Sequence, residues 1–281
     1  MERIELSAGT IEYDDTGSGP VVVLVHGVHM NGSVWRDVVR DLGVDHRCVV
    51  PTLPLGAHRY PMTPGVDLSP AGVARLLGEF LERLGLRGAT LVGNDTGGAL
   101  AQLLAAERPD LVGELVLASC DAFENFPPGL PGRVSTMTAR MPGGLALAGR
   151  SMRLHALTRL PFTWGWMAKR PIRAAMIDEW FAPLRADAGV RRDLACFLRG
   201  VDRHSLLDAA ERLTGFDRPA LVVWATEDRV MPYRHGERLA ALLPHARLVG
   251  IEDSYTLIPL DRPSELARVI RQFAGQPASA A

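Results

Sequence analysis

With 281 residues, 47% of them apolar and a net charge of −1, the chain can bury one large core and carries no basic excess, which speaks against nucleic acid as a partner. Cys48, Cys120 and Cys196 are few and far apart, so neither a disulfide framework nor a metal site is expected, and no cofactor is expected either. No apolar run approaches the ~20 residues that cross a bilayer, and Met1-Glu2-Arg3-Ile4-Glu5 does not read as a leader; the expectation is a cytoplasmic protein with no membrane partner.

Residues 3–6 and 10–14 alternate apolar and polar, the pattern of a hairpin at a sheet edge. Val21-Val22-Val23-Leu24-Val25 is continuously apolar, as a parallel strand covered on both faces requires, and His26-Gly27 ends it. A helix is predicted over 33–42 and a strand over 47–50. Ser69 caps the next helix and Pro70 sits in its first turn. Val73, Leu76, Leu77, Phe80, Leu81 and Leu84 follow at helical spacing until Gly85. Strands are predicted over 89–92 and 114–118.

From Asp121 the pattern changes. Phe126-Pro127-Pro128-Gly129-Leu130-Pro131-Gly132 breaks regular structure, and the segment to about 215 is helical in character, with Trp164, Trp166, Trp180 and five methionines. Strands return at 220–224 and 247–251 around a helix near 233–243. A last helix over about 263–273 puts Leu266, Val269, Ile270 and Phe273 on one face, and 275–281 reads as frayed. The alternation predicts an α/β fold: a doubly wound, mostly parallel sheet formed by 1–120 and 216–281, with an inserted helical cap at 121–215.

Gly93-Asn94-Asp95-Thr96-Gly97-Gly98 joins a buried strand to a helix through a sharp turn with one polar side chain at its apex. That is the layout of a nucleophile elbow. The helix N-terminus brings amide donors and a positive dipole to the apex. An ionised aspartate there can attack carbon; it can also simply cap the helix at Thr96 or Gly97.

In this order of elements the chain resembles the α/β-hydrolase superfamily over nearly its full length, and at Asp95 its aspartate-nucleophile branch of haloalkane dehalogenases and epoxide hydrolases. His26-Gly27 resembles the oxyanion loop, Trp224-Ala225-Thr226-Glu227-Asp228 the loop that carries the acid, and Asp261-Arg262-Pro263 the start of the last helix. The resemblance implies Asp95 as nucleophile, the backbone amides of Val28 and Thr96 as oxyanion hole, and Asp228 as the acid that orients the base. His26 is expected to shape its loop rather than to react.

The resemblance also calls for a histidine a few residues before Asp261, and none occurs between Ile251 and Leu260; Thr256 stands at about that place. A threonine is no general base at neutral pH, so an Asp95 ester would not be hydrolysed, and general-base assistance is worth roughly 10²–10⁴-fold. His29 and His58, in loops at the same sheet edge, and Thr256 itself are the candidate surrogates or pocket residues. The subclass marks differ too: Thr96, not Trp or Arg, follows Asp95, and Tyr13, Tyr60, Tyr233 and Tyr255 all lie outside the insert.

Three functional readings follow. The first is hydrolysis of a small to medium, mainly apolar molecule at Asp95 with a relocated base. The second is a lyase, isomerase or cyclase using Asp95 as general acid/base, and the third a ligand-binding protein without turnover. The expected partner is a small-molecule substrate; the oligomeric state is left open, with a homodimer among the options.

Overall fold

A computed structural model describes residues 1–274 of the chain. The expected frayed end, 275–281, lies outside the described residues. Eight strands form one sheet: β1 (Glu2–Leu6), β2 (Gly9–Thr16), β3 (Val21–Val25), β4 (Arg47–Thr52), β5 (Ala89–Asp95), β6 (Val112–Cys120), β7 (Ala220–Ala225) and β8 (Ala246–Ile251). Their order is β1-β2-β4-β3-β5-β6-β7-β8, antiparallel at the β1–β2 and β2–β4 pairs and parallel from β4 to β8. The continuously apolar runs occupy the middle of this sheet, where both faces are covered, and Val22 to Val25 are wholly buried.

The helices are α1 (Arg36–Leu42), α2 (Pro70–Arg83), α3 (Thr96–Glu107), α4 (Gly129–Arg140), α5 (Gly144–Ser151), α6 (Ala174–Ala186), α7 (Ala188–Arg199), α8 (Arg203–Leu213), α9 (Tyr233–Leu242), α10 (Ile258–Asp261) and α11 (Pro263–Phe273). The helix predicted over 33–42 begins with a 3-10 turn, Gly32–Trp35, because Asn31 caps it by accepting from the Ser33 N–H. Ser69 caps α2 as its sequence predicts, accepting from the Gly72 N–H at 3.2 Å. Helix α1 packs on α11, whereas α2 and α8 flank α3 and α9 lies beside α8, so the sheet is wound on both sides.

Between β6 and β7 the only regular elements among the described residues are helices, with α4, α5, α6 and α7 packed on one another. Trp180 of α6 is fully buried and donates its indole N–H to the Ser33 hydroxyl at 2.9 Å, which ties this layer to the sheet domain.

Candidate active site

Close backbone approach explains the glycines of the elbow. A Cβ on Gly93 would lie 2.4 Å from the Gly97 carbonyl oxygen, and one on Gly97 would lie 2.1 Å from the carbonyl oxygen of Val25. Only glycine lets α3 start this close to β3 and β5. Asp95 is the apex, at φ 54° and ψ −132°, a backbone region costly for a side-chain-bearing residue and held here by its packed neighbours. It does not cap α3 with its side chain.

The Asp95 carboxyl is buried beside the backbone amides of Val28 and Thr96 and packs so tightly on the His26-Gly27 loop that a Cβ on Gly27 would fall 1.9 Å from Oδ2. Burial pushes its pKa up to about 7; the two amides favour the ionised form, and the charge of Asp228 opposes it.

Asp228 is half-buried, with the Oδ2 of its carboxyl enclosed. Its Oδ1 accepts from the Thr256 hydroxyl at 2.7 Å and from the amides of Val230 and Met231 at 2.9 and 2.8 Å, while Oδ2 has no hydrogen bond. Burial raises its pKa to about 6 against these donors. Thr256 is fully buried, and the side-chain amide of Asn94, next to Asp95, donates to its carbonyl oxygen at 2.8 Å. The residue at the place assigned to a histidine is thus a hydroxyl committed to the acid.

The two candidate histidines part company. His29 lines the cavity with Asp95. Its backbone is left-handed, at φ 62°, and its ring stacks on Phe181 at 5.4 Å. Nε2 lies 3.4 Å from the Ser135 hydroxyl, Nδ1 has no partner, and burial lowers the ring pKa to about 4. His58 does not line the cavity: its Nε2 meets the buried Asp193 carboxylate of α7 at 3.2 Å, a structural contact that ties the loop to the helical layer. His26 accepts the Leu53 N–H on Nε2 at 3.0 Å, leaving Nδ1 to donate to the Gly27 carbonyl at 2.8 Å, and so shapes the loop as its sequence predicts.

Asp121 escaped the sequence reading. It follows β6 and is wholly buried, with no well-formed hydrogen bond to either carboxyl oxygen. Burial and the neighbouring Asp95 charge push its pKa well up. Its signal in the sequence was only an aspartate at the end of an apolar strand, which reads equally well as a turn residue. Among the described residues no group of His, Cys, Asp and Glu side chains could hold a metal ion.

Above Asp95 lies a cavity of about 460 Å³ between the strand ends and the helical layer. Val28, His29 and Thr96 form its floor with Asp95; Phe126, Met152, Trp164 and Phe181 are among its apolar walls. Such a space suits a small, mainly apolar molecule.

A model of the alpha/beta hydrolase family matches residues 22–269. The chain belongs to the alpha/beta hydrolase family. Within it, the chain is 28% identical to haloalkane dehalogenase 2 of Mycobacterium tuberculosis, over 96% of this chain and 93% of that protein. It is 24% identical to the pimeloyl-[acyl-carrier protein] methyl ester esterase of Aeromonas salmonicida, over 95% of this chain and all of that protein. The crystal structure of an inferred ancestral haloalkane dehalogenase superposes with a TM-score of 0.77 at 23% identity, covering 97% of both chains, which shows the shared hydrolase fold. No helix among the described residues of this hydrolase-family chain is long and apolar enough to cross a membrane.

Proposed function

We propose that this member of the family is an enzyme acting on a small, mainly apolar molecule, with Asp95 transferring a proton rather than forming an ester that a histidine must cleave. The observation that carries this is the Thr256 hydroxyl bonded to Asp228. Hydrolysis of an Asp95 ester needs a base beside the attacking water, and a hydroxyl already given to the acid is none. Proton transfer makes no such demand. A carboxyl whose pKa burial brings to about 7 is matched to neutral pH, where both of its forms are present. The fitting reaction class is isomerisation, in which Asp95 takes a proton from one carbon and returns it to another, or elimination, in which it takes a proton from one carbon, the leaving group on the neighbouring carbon departs with its bonding pair as the double bond forms, and Asp95 gives the proton to that group.

A second reading is hydrolysis with His29 as relocated base. Its support is the unpartnered Nδ1 of a neutral ring on the wall of the same cavity, together with kinship to a haloalkane dehalogenase. The deciding experiment incubates the protein with a panel of haloalkanes, epoxides, esters and enolisable ketones and follows product and intact mass. Turnover of a ketone or elimination substrate, lost in Asp95→Asn and without added mass, supports proton transfer. A covalent adduct on Asp95, whether it accumulates or turns over, overturns it.

A further inference from the structure

We propose that the outer face of α4 and α5, with the segment that follows α5, docks on an anionic lipid bilayer. Residues 126–177 contain eight basic residues and no Asp or Glu, leaving 23 basic and 32 acidic residues for the rest of the chain. Arg133, Arg140, Arg150, Arg153, Arg159 and Arg173 are all exposed, and none has an ion-pair partner among the described residues. Elsewhere on the surface most arginines pair with carboxylates, as Arg40 does with Asp37 and Arg108 with Asp110, and so do the two remaining basic residues of the segment, Lys169 with Glu227 and Arg170 with Asp253. A nearly neutral chain therefore presents one strongly positive face.

The same segment carries the exposed apolar side chains. Of the eight large hydrophobic residues exposed among the described residues, six fall in it, with Leu147 67%, Leu154 66%, Met137 58% and Met141 54% exposed. On α4, Arg133, Met137 and Arg140 recur at helical spacing and share one face, and Met141 follows directly at its end. Leu147 and Arg150 do so on α5, and Arg153 and Leu154 extend the row past its end. Apolar residues interleaved with unpaired arginines match the boundary of a bilayer, where the former enter the acyl region and the latter meet phosphates.

The bilayer is favoured over an acidic protein by what the face surrounds. Met141, Leu147 and Phe162 belong both to the exposed face and to the cavity lining. The opening toward Asp95 thus lies within the surface that would enter the lipid, so an apolar molecule could pass from membrane to cavity without crossing water. The absence of a spanning helix bears on crossing a membrane, not on lying against one.

Sedimentation with vesicles tests the proposal and is independent of the chemistry at Asp95. The full chain is mixed with vesicles of phosphatidylcholine containing about 30% phosphatidylglycerol, or of phosphatidylcholine alone, at low and high salt. The expected result is at least tenfold stronger partitioning to the anionic vesicles, weakened by salt. Each basic group near an anionic surface is worth about fivefold, so Arg150→Glu with Arg153→Glu is expected to lose at least about tenfold. Met137→Ser with Leu154→Ser, which spares the cavity lining, should weaken binding to the anionic vesicles while circular dichroism stays native. Absence of vesicle binding overturns the proposal, whether the face then proves to hold a second copy, seen as a dimer by light scattering, or an acidic protein. Binding that ignores lipid charge and the arginine reversals overturns it as well.

Discussion

The Thr256 hydroxyl donates to Asp228 Oδ1 at 2.7 Å, so the acid of this site is bonded to a group that cannot carry a proton away from water. Beside it, the amide of Asn94 holds the Thr256 backbone next to the elbow. The charge of Asp95 acts on Asp121 and that of Asp228 on Asp95, and burial raises the pKa of all three carboxyls.

Thr256→Val keeps the volume and removes the donor. Asp228 retains two amide donors but loses one while half-buried, so the variant should be less stable by about 1–2 kcal/mol. The hydroxyl favours the ionised acid, whose pKa is about 6. The loss should therefore be largest above pH 6 and shrink below it. Urea denaturation at pH 5 and pH 8 checks this; a variant as stable as the parent at pH 8 would mean that the bond contributes nothing.

Asp95→Asn should abolish activity and raise stability in a pH-dependent way. The native carboxyl titrates near 7, against 3.8 for the free group. The folded state then holds a proton that the unfolded chain releases between about pH 4 and 7. The stability contributed by this group is complete below pH 4, falls as pH rises through that window and is flat above it. The variant lacks this loss, so its advantage over the parent should grow by about 2 kcal/mol or more between pH 4.5 and pH 8. A pH-independent difference in denaturation midpoints would contradict the buried, uncompensated carboxyl.

Gly27→Ala tests how closely Asp95 is seated. The new methyl would lie 1.9 Å from Asp95 Oδ2 and 2.7 Å from the Met30 methyl carbon, so the carboxyl must shift. Displacing a reacting group by about 1 Å can cost roughly 10²-fold in rate. A comparable fall in kcat, with the fold retained by circular dichroism, is expected; unchanged kcat would show that the carboxyl can move freely.

His29→Phe separates the two chemical readings. Proton transfer by Asp95 predicts less than about a tenfold change in kcat, whereas a relocated base predicts a loss of roughly 10²–10⁴-fold. Burial lowers the native ring to about 4 against an ordinary 6.5. The unfolded chain therefore takes up a proton as pH falls from 6.5 to 4, and stability is lost over that range. Phenylalanine removes this sensitivity, so the variant's denaturation midpoint should fall less than the parent's between pH 6.5 and pH 4.5.

Much of this was legible along the chain because it is local. The continuously apolar run Val21–Val25 became a buried central strand, Ser69 capped α2, and α11 spans Pro263–Phe273 as its amphipathic spacing predicts. The small residues around Asp95 located the elbow for the same reason, since a tight strand-to-helix turn leaves room for no Cβ. Two neighbouring loops could not be ranked that way. His29 enters the cavity and His58 does not, because His29 adopts a left-handed backbone while His58 meets an aspartate 135 residues away. Asp121 carries no mark in the sequence, because its burial follows from β6 lying beside β5, where the register shifts at Asp95 and pairs it with Cys120. Sequence alone thus determined the architecture and the position of Asp95, both set by short-range pattern. Only the tertiary structure decided what surrounds that carboxyl, because burial and charge at a site are set by side chains brought together from distant segments.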